Sequence, residues 1–255
     1  QLGARGLRSI CENIFLDVGS HADVVRFCKE KQIDLALVGP EIPLADGLAD
    51  SLSAEKIRCF GPSQAAAQIE ASKSFSKQFM ARHGIPTARY QIFTDIKSAW
   101  QYTETIDYPI VIKASGLAAG KGVVLPETLT EARSTLESIL IDKTFGEAGS
   151  EVIIEERLSG QEVSLMAFTD GETIIPMLPA QDHKRLLDHD EGPNTGGMGA
   201  YSPAPVVTAQ VHARAMREVI LPTIKGMEKD GIPYTGFLYA GLMIDAQGLP
   251  KTLEF

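Results

Sequence analysis

The sequence predicts an α/β protein in which a short parallel α/β segment precedes a larger α+β part. From residue 20 to residue 62, helical patterns alternate with short apolar runs, which is the order typical of a parallel sheet. Residues 113–178 instead show period-two alternation and an Asp170-Gly171 turn, which indicate a small, mostly antiparallel β-unit carrying one helix. The Pro62-Ser63 step is the best candidate boundary because Ser63 can cap a following helix. The predicted domains are residues 1–62 and 63–255, with a subdomain at about 113–178.

Composition excludes several classes of protein. The chain has 255 residues, of which 44% are hydrophobic and 22% charged, as in ordinary globular proteins. Its formal net charge of -9 argues against a broad nucleic-acid or anionic-membrane surface, and no apolar run or signal-peptide pattern points to a membrane or to export. The cysteines at 11, 28 and 59 lack metal-ligand spacing and are interpreted as reduced core thiols. We therefore expect a cytoplasmic protein without nucleic-acid or membrane partners.

The pattern of residues 1–62 predicts a small parallel sheet, and one edge of such a sheet commonly binds ligands. Residues 1–20 show no clear periodicity. The predicted elements are a helix from Ser20, a strand at Ile33–Val38 buried on both faces, a helix carrying Leu44, Leu48 and Leu52, and a strand at Ile57–Phe60. Glu41 follows the first strand, where open α/β sheets usually bind ligands. A solvated turn glutamate is an equally good interpretation.

In the larger part, helix caps, hydrophobic periodicity and turn residues predict the helices and strands. Helices are predicted over residues 73–83, 96–104 and 129–141 and after Thr208, and strands over 90–93, 109–114, 123–124, 151–156, 163–167 and 172–178, with a hairpin from Phe237 to Phe255. The segment Gln181–Pro203 is long, polar and rich in glycine and shows little regular periodicity. Segments of this kind are usually functional or disordered, and we predict an irregular functional loop.

A glycine-rich loop, KASGLAAGKGVV, runs from Lys113 to Val124. Glycines let backbone N–H groups approach an anion, and Lys113 and Lys121 add positive charge. The spacing from Gly116 to Gly120 does not fit a P-loop, and the strand that follows does not fit a dinucleotide-binding turn. The loop alone is compatible with a nucleotide-phosphate clamp and with an ordinary flexible hairpin turn.

For several other carboxylates and histidines, the sequence allows both a structural role and a role in ligand binding. Glu155 and Glu156 are adjacent on a strand, so at least one of them must meet solvent or a ligand. Glu254, on an otherwise apolar strand, is either solvent-facing or a magnesium ligand. His183 and His189 have no second histidine at ligand spacing, which favours hydrogen-bonding or surface roles.

Several collinear stretches together resemble one family. They are VGPEIPLADG from Val38, CFGPS, HGIPTA, KASGLAAGKGV, AQDHKR, GPNTGGMGAYSPAP, PYTG, YAGLM and LEF. They are similar to the phosphoribosylamine–glycine ligases, also called glycinamide ribonucleotide synthetases, of the ATP-grasp superfamily. The resemblance implies an ATP-grasp fold with a partial N-terminal parallel domain and an inserted antiparallel lid. It also implies ATP-dependent joining of glycine to 5-phosphoribosylamine in purine synthesis, through a glycyl phosphate.

The resemblance further implies an ATP site. Lys73 and Lys113 match lysines that reach the nucleotide phosphates, and Arg185 and Asn194 match positions on the phosphate and metal side. The other implied ATP-binding positions are Ser115, Gly116, Gly120, Lys121 and Gly122 in a mobile lid, Glu155, Glu156, Arg157 and Leu158 in a hinge that holds adenine largely by backbone groups, and Glu162 on the ribose hydroxyls.

Roles in substrate binding and chemistry are implied in the same way. Arg185 and Lys113 are expected to be catalytic, Arg185 by stabilising transition-state charge. Glu254 matches a ligand of Mg²⁺ or Mn²⁺, the metal that accompanies ATP. The substrate-binding positions are Asp182, Lys184, Gly196 and Gly197 around glycine, and Glu41 on the ribosylamine.

The sequence also departs from the family pattern. The family's N-terminal strand with its Gly-Gly-Arg-Glu-His turn, and the Arg-Phe-Gly-Asp-Pro-Glu motif after Leu-Glu-Phe, have no counterpart here. We therefore expect a chain truncated at both ends that binds ATP weakly and is poorly active alone, which leaves open a longer or fused purine-synthesis polypeptide. The alternatives are another ATP-grasp carboxylate–amine ligase and a non-catalytic ATP-binding fragment.

Overall fold

The N-terminal unit is a small parallel α/β arrangement, as the sequence predicts. The computed structural model describes residues 11–118 and 122–255. Strands β1 (Ala36–Leu37) and β2 (Cys59–Phe60) pair in parallel, with Ala36 opposite Cys59. Helices α1 (His21–Glu30), α2 (Glu41–Ala45) and α3 (Leu48–Ala54) complete the unit. The N-terminal part of the predicted helix–strand alternation is therefore confirmed.

Two details of this unit differ from the prediction. The run Ile33–Val38 is not buried on both faces, since Leu35 and Leu37 are 55% and 69% exposed while Ala36 and Val38 pack on the core beneath. The cause is that the described helices cover one side of a sheet only two strands wide. The helix predicted through Leu44–Leu52 is divided into α2 and α3 because Gly47, at φ +92°, ends the first helical segment.

The larger part contains two four-stranded sheets. Strands β3 (Tyr90–Phe93), β4 (Ile110–Ala114), β5 (Val123–Val124) and β6 (Val152–Glu156) form the first sheet, in the order β3-β6-β4-β5. Strands β7 (Gln161–Thr169), β8 (Ile174–Pro176), β11 (Gly236–Ile244) and β12 (Pro250–Glu254) form the second, in the order β12-β11-β7-β8. Residues 113–178 are thus divided between two sheets rather than forming one unit. The reason is that β7 pairs along its whole length with β11 and buries its apolar face against the helices there.

Each sheet has its own apolar core. The first sheet packs against α6 (Ile96–Thr105) and α7 (Leu129–Leu140), with Ile112, Leu136 and Ile154 among the buried side chains. Helices α4 (Gln64–Ala71) and α5 (Lys73–His83) contribute Ile69, Phe79 and Met80 to the core of the second sheet. Ser63 and Ser72 cap α4 and α5 through their side chains, as expected for residues preceding a first turn. The domain boundary at Pro62-Ser63 stays a prediction.

The segment predicted to be an irregular loop is instead a hairpin. Strands β9 (Gln181–Leu187) and β10 (Glu191–Tyr201) pair antiparallel, joined by a short turn at Asp188–Asp190. The register of the two strands shifts between Glu191 and Asn194 and again between Asn194 and Gly199, so the glycine-rich strand contains bulges. Because much of the hairpin is exposed, its side chains need not alternate between apolar and polar, and the period-two signal is missing.

The C-terminal elements agree with the sequence. Thr208 caps α8 (Ala209–Ala215), a π-helical turn (Met216–Ile220) follows, and α9 (Leu221–Lys229) completes the helix. The hairpin of β11 and β12 turns at Asp245, whose carboxylate accepts from the backbone N–H groups of Gln247 and Leu249 at 2.9 and 2.8 Å. In the described part of the chain, no helix is long and apolar enough to cross a bilayer.

Gly160 and Gly84 provide a test of the close contact between the residue before β7 and the end of β11. Both have positive φ, of +151° and +67°, which a residue with a Cβ rarely adopts. A Cβ at Gly160 would lie 2.2 Å from the carbonyl oxygen of Ile244, whereas at Gly84 no described atom lies within 4 Å. Gly160→Ala is therefore expected to lower the free energy of unfolding by clearly more than Gly84→Ala does. Urea unfolding of both variants measures this, and equal losses would contradict it.

Candidate nucleotide and substrate site

A cleft of about 210 Å³ lies between the two four-stranded sheets, beside the start of α5. Its walls come from β4, β6, β12 and the end of α4. Its charged lining consists of the lysines Lys73, Lys77 and Lys113 and the carboxylates Glu41, Glu70 and Glu254. Such a mixture suits a polyanion that is bound together with a cation.

Several residues singled out from the sequence meet in this cleft. Lys113 and Glu254 reach it from different sheets, Lys73 from α5, and Glu41 from the N-terminal unit. Burial lowers the pKa of Lys73 in spite of the opposing charge of Glu254. The Lys73 ammonium lies 3.5 Å from the carbonyl oxygen of Gly116, at the start of the glycine-rich loop. The cleft therefore unites the predicted phosphate lysines with the predicted metal ligand.

Beneath the cleft, one buried carboxylate lies between two lysines. Glu155 contacts the ammonium groups of both Lys77 and Lys113, and its side chain is 2% exposed. Lys113 and Glu155 share a face of the first sheet because β4 and β6 pair with Lys113 opposite Ile153. Burial alone would raise the pKa of Glu155, but the two ammonium groups outweigh it and hold the pKa below its usual value. Glu155 is therefore an ionised partner of Lys113.

Lys77 lines the cleft but is not among the site residues predicted from the sequence. Burial lowers its pKa to about 8, although Glu155 opposes the shift. Its Nζ donates to Thr87 Oγ1 at 2.7 Å, and the Tyr90 hydroxyl donates to its backbone carbonyl at 2.9 Å. A signal was present, because Lys77 lies four residues after Lys73 and so shares its face of a helix.

The described glycines at the ends of the glycine-rich loop serve close packing. A Cβ at Gly116 would lie 2.6 Å from Ala148 Cα, and one at Gly122 would lie 2.8 Å from the Ala118 side chain. Ser115 is buried, and its hydroxyl both accepts from the Ser74 N–H at 3.1 Å and donates to the Ser74 hydroxyl at 2.8 Å. Gly120 and Lys121 lie outside the described residues.

The predicted adenine hinge follows β6. The N–H of Arg157 donates to the Pro109 carbonyl at 2.9 Å, and that of Glu156 to the Arg89 carbonyl at 2.9 Å. The Glu156 carboxylate accepts from Arg89 Nε at 3.2 Å, and the Arg157 guanidinium donates to Glu127 at 2.9 Å. Leu158 is half-buried beyond them. The side chains of Glu156 and Arg157 are thus engaged in ion pairs.

The β9–β10 hairpin holds the remaining predicted residues. Lys184 forms an ion pair with Glu162 on β7. Burial alone would lower the pKa of Lys184, but this pairing raises it. Asp182 lies opposite Ala200 in the ladder. Gly196 and Gly197 follow Thr195, whose hydroxyl donates to the Lys184 carbonyl at 2.9 Å.

Arg185 is not brought to the lysine cleft. Its guanidinium donates to the Gly192 carbonyl at 2.5 Å, and it lines a separate cavity with His183, His189 and Met198. Asn194 lies opposite Arg185 in the ladder. The two predicted catalytic residues therefore line different cavities: Lys113 lines the cleft between the sheets, and Arg185 lines the cavity on the hairpin.

Tyr239 connects the hairpin side with the cleft. It lines the cleft from β11 and lies on the same sheet face as Glu254 and Glu162, as the β7–β11–β12 register requires. Burial raises the pKa of its hydroxyl, with a smaller upward contribution from Glu254. The Lys184–Glu162 pair and the lysine cleft thus face the same side of the second sheet.

Glu70 is a second residue that the sequence reading missed. Desolvation in the cleft, followed by the charges of Glu41 and Glu254, raises its pKa to about 7. Within residues 11–118 and 122–255, no group of three or more His, Cys, Asp or Glu side chains is arranged to hold a metal ion. The carboxylates at this end therefore do not form a closed metal site by themselves.

Comparisons with known proteins give one consistent family. Residues 71–255 match the sequence model described as "Phosphoribosylglycinamide synthetase, ATP-grasp (A) domain", and residues 2–70 match that of the N domain of the same synthetase. The chain is 60% identical, over 229 residues, to the phosphoribosylamine–glycine ligase of Ralstonia nicotianae, covering 90% of this chain and 54% of that protein. It thus spans about half the length of this curated relative.

Two further matches extend the comparison. The chain is 54% identical, over 244 residues, to the trifunctional purine biosynthetic protein adenosine-3 of Gallus gallus, covering 95% of this chain and 24% of that protein. The crystal structure of phosphoribosylamine–glycine ligase from Thermotoga maritima superposes with a TM-score of 0.81 at 30% identity, covering 98% of this chain and 60% of that one. The architecture described above is thus the ATP-grasp fold.

Glu70→Gln is expected to stabilise the metal-free protein above about pH 7 and to have little effect below pH 4.5. The folded-state pKa of Glu70, about 7, exceeds the ordinary value of 4.5, so the folded state binds this proton more tightly. Between pH 4.5 and about pH 7, the free energy of unfolding of the unchanged protein falls as the pH rises. The glutamine variant does not show this fall, because its side chain carries no proton that can dissociate. Urea unfolding in EDTA at pH 5 and pH 8 measures the difference, with the exposed Glu228→Gln as the control. The same offset at both pH values would contradict the assignment.

Proposed function

This chain belongs to the phosphoribosylamine–glycine ligase family, and we propose that it supplies the ATP-binding and glycine-activating part of such a ligase. The reaction joins glycine to 5-phosphoribosylamine and gives glycinamide ribonucleotide, ADP and phosphate. The observation that carries the proposal is the convergence of Lys73, Lys113 and Glu254 in one cleft between the two sheets. That arrangement meets the needs of phosphoryl transfer, which depends on positioning and charge neutralisation.

The proposed chemistry has two steps. A carboxylate oxygen of glycine attacks the γ-phosphorus of ATP, the bond to the bridging oxygen breaks, and ADP leaves. The amine nitrogen of phosphoribosylamine then attacks the carbonyl carbon of the acyl phosphate, phosphate leaves, and the nitrogen loses a proton. Lys73 and Lys113 would stabilise the negative charge on the phosphoryl oxygens in the first step. Arg185 lines a separate cavity in this structure, and its guanidinium would have to leave the Gly192 carbonyl to reach the phosphoryl oxygens.

The divalent cation, Mg²⁺ or Mn²⁺, would be held at Glu254. A carboxylate is the oxygen ligand that these hard cations prefer, and Glu254 lies in the same cleft as the two phosphate lysines. Mg²⁺ commonly takes one or two protein carboxylates together with nucleotide phosphates, so one carboxylate here fits that mode. When bound, the cation neutralises phosphoryl charge and orients the phosphate chain.

The remaining binding roles are proposed because the chain belongs to this family. Within residues 155–158, ion pairs occupy the side chains of Glu156 and Arg157, and their backbone N–H groups donate to Arg89 and Pro109. Adenine would therefore be held by the other backbone groups of this segment. Glu162 would accept from the ribose hydroxyls, and Ser115, Gly116, Gly120, Lys121 and Gly122 would belong to the lid. Glycine would lie beside Asp182, Lys184, Gly196 and Gly197, Asn194 would be on the phosphate and metal side, and Glu41 would contact the ribosylamine.

We propose a cytoplasmic enzyme whose partners are these small substrates. Cys28 and Cys59 are free thiols within the N-terminal core, as in a reducing compartment. The chain matches 24% of the chicken protein, whose name describes three activities. A longer or fused polypeptide is therefore part of the proposal.

The substrate assignment is tested by adding glycine and phosphoribosylamine separately and together and measuring ADP release. ADP formation that requires glycine and rises further with phosphoribosylamine would support the ligase. Stimulation by a different carboxylate and amine would favour another ATP-grasp ligase. ATP binding without turnover, even when the chain is part of its longer polypeptide, would favour a non-catalytic nucleotide-binding protein.

Lys113→Met is expected to weaken ATP binding by at least about tenfold, because an ammonium group facing the phosphates is lost. Glu155 keeps Lys77 as its partner in this variant, so a folded protein is expected. Calorimetric titration with Mg²⁺ and a non-hydrolysable ATP analogue measures the effect. The exposed Lys97→Met, on α6, is the matched control. Equal affinity in the two variants would contradict the role of Lys113.

A further inference from the structure

The Glu155 carboxylate depends on its two lysines. Oε1 contacts Lys113 and Oε2 contacts Lys77, and the three side chains are between 2% and 8% exposed. An isolated charge buried to this degree is strongly unfavourable, and removing one partner of a buried pair is strongly destabilising. Glu155 therefore needs an ammonium partner whenever it is ionised.

The two lysines differ in their other contacts. Lys77 is fixed on a second side by its 2.7 Å hydrogen bond to Thr87 Oγ1. Thr87 in turn donates to the Thr252 carbonyl on β12 at 2.7 Å. Among the described residues, the further hydrogen bond of Lys113 Nζ is a long one, 3.4 Å, to the Leu253 carbonyl. Lys77 is thus anchored, whereas Lys113 is held mainly by Glu155.

Lys113 is also the lysine to which the proposed function gives a second task. When its ammonium group binds phosphoryl oxygens, its attraction to Glu155 competes with its attraction to the nucleotide. If Lys77 were absent, the ionised Glu155 would have Lys113 as its main partner and would hold it back. The three charged groups together carry one net positive charge with Lys77 and none without it, so the attraction for an anion would fall as well.

We propose that Lys77 is a positioning residue that keeps Glu155 neutralised while Lys113 binds the nucleotide phosphates. This inference rests on the proposed function of the cleft as an ATP site. Lys77 acts through Glu155 and Lys113 rather than by touching the reacting atoms. Its removal should therefore act first on nucleotide affinity, and removal of the Glu155 charge should offset the loss.

The test measures binding of a non-hydrolysable ATP analogue with Mg²⁺ to the 255-residue chain, well below its unfolding temperature. Lys77→Met removes the charge at nearly constant length and is expected to raise Kd at least about tenfold. Lys97→Met, an exposed change of the same kind, should leave Kd unchanged. Lys77→Arg, which keeps the charge, should recover part of the affinity. Should Lys77→Met fail to fold, Lys77→Gln replaces it, because the amide can still donate to Thr87.

A double variant separates positioning from a merely structural role. In Lys77→Met with Glu155→Gln, no carboxylate competes for Lys113 and the group again carries one net positive charge, so Kd should return close to that of the unchanged chain. A structural role would instead predict independent losses that multiply, with a lowered melting temperature. Unchanged affinity in the Lys77 variants, or multiplied losses in the double variant, would overturn the inference. Absence of nucleotide binding by the unchanged chain would overturn the proposed ATP site and the inference together.

Discussion

The buried charge group of Lys77, Glu155 and Lys113 constrains the rest of the structure. Its members come from α5, β6 and β4, so three separate parts of the chain must meet with their charged atoms in contact. Buried ion pairs tolerate little misplacement, because a lost contact leaves an uncompensated charge. Thr87 extends the group to β12 and thereby to the strand that carries Glu254. These contacts beneath the cleft therefore set the relative positions of the elements that line it.

The division into two sheets explains how a polar cleft can lie between two apolar cores. Each sheet turns one face to its own helices, and those faces bury Ile112 and Ile154 on one side and Leu165 and Leu242 on the other. The opposite faces meet across the cleft, so they can carry Lys113, Glu155 and Tyr239 without disturbing either core. Stability and ligand chemistry thus use different faces of the same strands.

The sequence predicted most elements but not all of their surroundings. Helix α5, strands β3 to β6 and the C-terminal hairpin followed from local caps, alternation and turns. The pairing of β7 with β11 joins residues that are 67 to 83 positions apart, and such contacts leave little trace in the local sequence. The burial of Lys77 could not be predicted from its neighbours in sequence, because distant strands bury it. The exposed hairpin lacked alternation because its pairing uses backbone groups that every residue has.

The charges of the cleft are ordered by depth, and this order matches the proposed substrates. Lys77, Lys113 and Glu155 are buried at its floor with a net positive charge, and Lys73 and Glu254 are half-buried. Glu41 and Glu70 lie at its rim, where surrounding protein groups desolvate the Glu70 carboxylate although part of its side chain meets water. A phosphate chain is stabilised near the floor, whereas a cation or an amine is stabilised near the carboxylates above it. A ligase that transfers a phosphoryl group and then accepts an amine needs both environments a few ångströms apart. One cleft between two sheets provides them in that order.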